Sequence, residues 1–229
     1  MFMFKDYTTC IGGYILETTK SYTTKTPTFE QVSTLVRIQQ IYNAGIKEIQ
    51  TKLEILDSEF KVKHDHNPIH HIESRLKKPE SIVKKAIHKN IGLTENDITK
   101  HIHDIAGIRV ICNYVDDVYV VAGLLTKQDD IKVIEVKDYI KHPKPSGYRS
   151  LHLVLEIPIF LSEGAKPIHV EVQLRTIAMD FWASLEHKLK YKTDNQVPED
   201  IKKELQECAL SIAYLDVKMQ NIHNRLDNE

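Results

Sequence analysis

Apolar residues recur at alternating intervals of three and four from Phe29 to Phe60. Val32, Leu35, Tyr42, Ile46, Ile49, Leu53 and Leu56 carry the series, with Gln39 its only polar member. Such a seam predicts one long helix, or two short ones broken near Gly45. A second unbroken seam, Ile201, Leu205, Cys208, Ile212, Leu215, Met219, Ile222 and Leu226, predicts a long C-terminal helix from Glu199. Between these ends the period drops to two. Leu151, Leu153, Leu155 and Ile157 share one face of a strand that Pro158 ends. After a turn at 162–167, Ile168, Val170, Val172 and Leu174 point one way and His169, Glu171, Gln173 and Arg175 the other. Ile108, Val110 and Cys112 alternate with Arg109, Ile111 and Asn113 in another strand, and 131–136 reads as a further one. Helices are expected from a capping box at Thr94–Asp97, over 116–128, and from Ile177 to Tyr191 with Ile177, Phe181 and Leu185 turned inward. The pattern fails at Lys61–His71, which reads as a polar connection. Its four histidines (His64, His66, His70, His71) lack regular ligand spacing and read as solvated side chains.

These elements divide the chain into an irregular arm (1–27), a central domain with its N-terminal helices (28–192) and a helical extension (193–229) suited to self-association. Composition narrows the class. The 229 residues carry a formal net charge of −1, so phosphate binding has to come from local segregation of charge. Residues 193–229 hold eight acids against four bases, which makes nucleic acid an unsuitable partner there. Cys10, Cys112 and Cys208 lie far apart without a CxxC pair and read as thiols of a reducing compartment. No apolar run approaches a bilayer span and the first residues show no signal-peptide pattern, so a cytoplasmic location and no membrane partner are expected.

Two stretches carry candidate chemistry. In His142–His152 (HPKPSGYRSLH), Pro143 and Pro145 stiffen the backbone and Gly147 frees it just before Tyr148. Lys144 offers a point charge for a phosphate, Arg149 a planar fork and Tyr148 a face for a base. One hairpin later comes the polar row with Glu171. In Arg75–Lys89 (RLKKPESIVKKAIHK) six Lys and Arg residues stand against the single acid Glu80. Pro79 suits a first helical turn, with Ser81, Lys84, Lys85, His88 and Lys89 on one arc and Ile82, Val83, Ala86 and Ile87 on the other.

HPKPSGYRSLH followed by HVEVQLRT resembles the synthetase domain of the RelA/SpoT family, which makes guanosine tetra- and pentaphosphate. At this length the chain is similar to the single-domain small alarmone synthetases. RLKKPESIVKK resembles the family's ATP element, which implies ATP binding by Arg75, Lys77, Ser81 and Lys85; His88 stands where many relatives carry Arg, with Lys89 as substitute. HDIAGIRV resembles the motif whose Asp (here Asp104) binds Mg²⁺ and whose Arg (Arg109) closes on adenine opposite Arg75. Strict alternation sends Asp104 and Arg109 to different faces, unless Gly107 marks a bulge or Asp104 precedes the strand. The resemblance further implies that Glu171 is catalytic and shares the metal with Asp104. It also implies that Lys144, Tyr148, Arg149, His152, Gln173, Arg175 and His187 receive the acceptor nucleotide.

The expected fold is α+β. A mixed, mainly antiparallel sheet of about five strands is flanked by helices in the manner of nucleotidyltransferases, with long N- and C-terminal helices. The activity implied is a GTP/GDP diphosphokinase: the β,γ-pyrophosphate of ATP moves to the 3′-hydroxyl of GDP or GTP and AMP is released. Mg²⁺ is the cofactor and a homo-oligomer, by preference a tetramer, the assembly. The alternative from another class is a catalytically silent guanine-nucleotide or RNA-binding module, for which the His88 departure and the basic helix speak. A pure binder has no use for two acids beside phosphates.

Overall fold

In the computed structural model the described residues are 29–192 and 197–226. The expected irregular arm and Cys10 lie outside them. The elements run α1 (Phe29–Lys63), β1 (Ile69–Leu76), α2 (Pro79–His88), α3 (Glu95–His101), β2 (Ala106–Cys112), α4 (Val115–Thr126), β3 (Lys132–Asp138), β4 (Leu151–Leu161), β5 (Gly164–Thr176), α5 (Ile177–Lys192) and α6 (Glu199–Leu226).

The five strands form one sheet in the order β1-β2-β5-β4-β3. Only the β2–β5 pair is parallel. The expected α+β class and mixed sheet are therefore present. Its apolar face packs under α1, and Ile108, Val110, Leu153, Leu155, Val170, Val172 and Leu174 join Ile38, Tyr42, Ile49 and Leu53 in one core.

Gly45 is a close approach and not a break. A Cβ at this position would meet Ile168 Cδ1 at 2.1 Å, so the glycine lets α1 lie against the sheet while the helix continues to Lys63. The buried stripe of α1 also takes in Ile38 and Ile41, which leaves Gln39 half-buried at its edge.

Pro158 does not end its strand either. It faces Pro167 across the β4–β5 ladder, which continues to Leu161 and Gly164, so the turn is shorter than 162–167. The first partnered residues of the outer strands lie opposite Glu156 and Val170, so the two missing N–H groups interrupt no third strand.

The expected polar connection at Lys61–His71 is shorter than its lost periodicity suggests, with α1 running to Lys63 and β1 starting at Ile69. As an edge strand with most of its residues exposed, β1 shows no apolar alternation to read.

Two helical faces are placed otherwise than their periodicity predicts. In α5 the buried residues are Met179, Trp182, Ala183 and Glu186, whereas Ile177, Phe181 (58 % exposed) and Leu185 face outward. In α6 the buried residues are Ala209, Asp216 and Gln220, and Leu215, Met219, Ile222 and Leu226 of the apolar seam are exposed. Ile87, assigned to the inner arc of α2, is exposed as well, while Ile82 and Ala86 are buried.

Candidate active site

The polar side chains of the sheet collect on the face opposite α1 because the register puts them there. One rung runs Glu73, Arg109, Gln173, His152, Lys137 across all five strands. The neighbouring rung holds Arg75, Gly107, Glu171, Val154 and Glu135. Glu171 thus lies on the central strand, flanked by the glycine of β2. A Cβ on Gly107 would meet only the Arg75 carbonyl, at an ordinary contact distance of 3.6 Å, so this flank is uncrowded.

The ladder of β2 with β5 is continuous, and the one irregularity against β1 lies between Ile69 and His71, so Gly107 marks no bulge. Asp104 precedes the strand, which frees it from alternation. The Lys77 amide donates to the Ile105 carbonyl at 2.8 Å, and this tie sets the β1–α2 connection beside Asp104. Lys77 Nζ donates to Asp104 Oδ2 at 2.8 Å. Lys85 Nζ pairs with Oδ1 at 2.8 Å, so each carboxylate oxygen holds one ammonium group. Burial pushes the Asp104 carboxyl up, but the two ammonium groups outweigh it and hold the group below its usual range.

Glu171 shows the same balance with different partners. Burial raises it; His152 and Gln173 lower it further than burial and the charge of Asp104 raise it, so it too is held ionised. Gln173 Nε2 donates to Oε2 at 2.9 Å, and His152 Nδ1 lies 3.5 Å from Oε1. The contribution of Asp104 means that the two carboxylates feel one another across the same cleft.

A hydrogen-bond chain fixes the imidazole. Arg175 donates from Nη2 to the Tyr148 hydroxyl at 2.7 Å and to Gln173 Oε1 at 2.8 Å. Guanidinium only donates, so the Tyr148 O–H is left to donate to His152 Nε2, 2.8 Å away. The proton of a neutral His152 then sits on Nδ1, aimed at Glu171. Arg175 is itself 5 % exposed and pairs through Nη1 with Asp180 at 3.0 Å.

The loop before β4 is a closed turn. Gly147 donates to the Lys144 carbonyl at 2.8 Å and Lys144 to the Tyr148 carbonyl at 3.1 Å, with Gly147 at φ +87° where a side chain would be strained. Lys144 Nζ stands 4.5 Å from the Tyr139 ring centre and 4.8 Å from that of Tyr148. Arg149 donates to the Ile140 carbonyl at 3.1 Å, which ties it to the segment after β3.

The structure therefore brings Arg75, Lys77, Lys85, Asp104 and Arg109 together on one side of Glu171, and Lys144, Tyr148, His152, Gln173 and Arg175 on the other. Ser81 is half-buried in the first turn of α2. Lys89 is occupied at the end of α2, donating to the His101 carbonyl at 2.9 Å, and His187 is exposed on α5. The sequence reading missed three residues. Asp180 bridges the two arginines, 3.5 Å from Arg109 and 3.0 Å from Arg175. Glu73 pairs with Arg109 at 3.1 Å, and Tyr139 meets Tyr148 and His152 edge-on. An acid in the first turn of α5 was the only available sign of Asp180. Among the described residues no group of three His, Cys, Asp or Glu is placed so as to hold a metal ion. No helix among them is long and apolar enough to cross a membrane.

Comparison with known proteins bears on this geometry. The family model described as a region found in RelA/SpoT proteins matches residues 74–196, the span that builds the polar face. The GTP pyrophosphokinase YwaC of Bacillus subtilis is 46 % identical over 187 residues, 82 % of this chain and 89 % of that protein. The crystal structure of small alarmone synthetase 1 from Bacillus subtilis bound to its product pppGpp superposes with a TM-score of 0.78 at 37 % identity, over 83 % of this chain and 97 % of that one. The same enzyme bound to AMPCPP gives 0.73 at 35 % identity, over 84 % and 97 %. With the family model matching more than half of the chain and a relative 46 % identical over most of both proteins, the chain belongs to the RelA/SpoT family.

Proposed function

We propose that Glu171 stands between two nucleotide sites and serves the transfer of the β,γ-pyrophosphate of ATP to the 3′-hydroxyl of GDP or GTP. The chain is a GTP pyrophosphokinase that makes guanosine penta- or tetraphosphate, as its relatives of 46 % and 38 % identity are. The observation that carries the reading is an ionised Glu171 with a cationic patch on one side and an aromatic, hydrogen-bonded loop on the other.

Each pair of unit charges about 4 Å apart costs about 4 kcal/mol at a surface-like dielectric, so two polyphosphates need dense positive charge to meet. Lys77 and Lys85 neutralise the donor, and Arg75 and Arg109, on adjacent strands of the same face, hold adenine by cation–π contact. On the acceptor side Tyr148 stacks the guanine, Lys144 takes phosphate, and Arg175, Gln173 and His152 keep Tyr148 and Glu171 in register.

The O3′–Pβ bond forms as the bond from Pβ to the bridging oxygen of the α-phosphate breaks. The hydroxyl proton passes to Glu171 and AMP leaves with the bridging oxygen. A carboxylate held below its ordinary range is a weak base, so the proton moves only as the forming bond makes the hydroxyl acidic.

Two hard carboxylates fit Mg²⁺, which takes one or two such ligands together with phosphate oxygens, and the Asp104 oxygens are held by two lysine ammonium groups that incoming phosphate can draw off. Asp104 and Glu171 would hold the ion, which would polarise the transferred phosphoryl group and offset developing charge.

Self-association of the chain, by preference as a tetramer, is supported by the apolar residues of α5 and α6 that are exposed among the described residues and border a groove of about 590 Å³ lined by Ile177, Phe181, Leu215 and Met219. A cytoplasmic location accords with the nucleotide substrates and the free thiols. Incubation with γ-labelled ATP and each of GDP, GTP and GMP tests the reaction. AMP and a labelled guanosine nucleotide in equal amounts are expected; ADP with phosphate, or free pyrophosphate, would refute it.

A further inference from the structure

The loop that carries Lys144 and Tyr148 is closed from behind by the C-terminal helix. Gln206 Nε2 donates to the Pro145 carbonyl at 2.6 Å. One turn further along α6, buried Ala209 lies so near the loop that a Cβ on Gly147 would meet its Cβ at 2.4 Å. Trp182 donates to the Leu205 carbonyl at 3.0 Å and joins Ala183 and Ala209 in a small apolar cluster, against which Tyr148 and Ile212 pack. Two turns beyond Ala209, buried Asp216 accepts from Thr176 Oγ1 at 2.6 Å, at the residue following Arg175. Successive turns of α6 thus meet the loop, the Tyr148 side chain and the end of the strand that bears Glu171.

The contact is tight because both partners are minimal. Gly147 has no Cβ and sits at positive φ, and Ala209 has nothing beyond one. The cavity beside Ala209 holds only about 10 Å³, so a larger side chain there presses on the loop, whose own closure rests on two backbone hydrogen bonds within five residues. The amide of Gln206 fixes the other end of the turn. The donor side chains stand elsewhere, on β1, α2 and the segment around β2, whereas α6 makes its principal packing contacts with α5 and α4.

We propose that Gln206 and Ala209 are positioning residues for the acceptor nucleotide: they set the height and angle at which the loop presents the Tyr148 ring, without touching substrate. This inference rests on the reading of Tyr148 as the acceptor platform. It predicts a split that a general packing role would not produce, namely a change in the acceptor KM with the ATP KM held.

The test is steady-state kinetics with each substrate varied in turn on the full chain, alongside thermal melting. Overpacking by Ala209→Leu is expected to raise the acceptor KM about tenfold and leave the ATP KM within about twofold. Gln206→Ala, which loses one neutral hydrogen bond, is expected to raise the acceptor KM about threefold, and Gln206→Lys, which keeps a donor at that position, to restore it. Equal changes in both KM values, or a fall in kcat alone, would overturn the inference. If Ala209→Leu does not fold, Gln206→Ala and its lysine rescue decide the matter by the same criterion. Tyr148→Ala separates the two levels. Should it raise the acceptor KM while neither α6 variant does, only the positioning role fails; should it leave the acceptor KM unchanged, the platform reading fails and the inference with it.

Discussion

The two halves of the site are held by different physics. On the donor side the ordering contacts are ion pairs: Lys77 and Lys85 both sit on Asp104, and Arg109 is shared between Glu73 and Asp180. On the acceptor side they are directional hydrogen bonds in series, Arg175 to Tyr148 to His152, with Gln173 clamped between Arg175 and Glu171. Ion pairs between side chains that are partly exposed are weakly held and can be exchanged for phosphate. A part-buried chain of directional hydrogen bonds keeps its geometry before any ligand arrives. The comparison teaches that the donor half stores positive charge against a carboxylate until ATP replaces it, while the acceptor half is built in advance around one aromatic ring.

Substitutions can sharpen or break that contrast. The largest of these effects is expected for Asp104→Asn, with turnover down about 10²- to 10³-fold, as for loss of a charge-stabilising group at the reacting centre. In the absence of metal the same variant should bind ATP more tightly than wild type, because both lysines lose their internal partner. Calorimetric titration checks this, and unchanged or weaker metal-free binding would contradict the exchange. Tyr148→Ala is expected to raise the acceptor KM roughly 5- to 150-fold, from about 1–3 kcal/mol of stacking, with little change for ATP. Arg75→Ala should do the reverse and more mildly, about fivefold on the ATP KM, from about 1 kcal/mol of cation–π contact.

The smallest effects concern pH and stability, and their signs differ. Asp104 is depressed from 3.8, so its contribution is present above that value and lost as the pH falls through its folded-state value. Asp216 is raised from 3.8, chiefly by burial, so its contribution is greatest in acid and lost as the pH rises through its folded-state value. Denaturant titrations between acid and neutral pH should therefore show a shallower acid-side loss of stability in Asp104→Asn and a steeper one in Asp216→Asn.

The polar face was legible because the alternation of β5 separates His169, Glu171, Gln173 and Arg175 from the core without ambiguity, and the register carries that separation to Arg109 and His152. The loop's shape was legible too, since two prolines and a glycine leave a turn few choices. What escaped reading lies where periodicity loses its meaning. β1 is an edge strand with little to bury, and Asp104 precedes its strand, so alternation placed neither. In α5 and α6 the apolar seams are real, but within the chain Asp216 and Gln220 are buried in their place. A heptad pattern reports that a face is apolar and not which neighbour covers it. Arg149 shows a further limit, for a residue type suited to phosphate is occupied by the Ile140 carbonyl. Asp180 and Tyr139 act through contacts between distant segments, which no local pattern announces.

The most direct measurement is single-turnover transfer by Glu171→Gln, paired with equilibrium binding of AMPCPP and GDP to the same protein. Gln keeps the shape and one acceptor oxygen but cannot take the hydroxyl proton or ligate as a carboxylate. Both nucleotides should bind with affinities within a fewfold of wild type while transfer falls by about 10³-fold or more. Transfer at near wild-type rate would remove Glu171 from the chemistry and leave the two halves of the cleft without a centre.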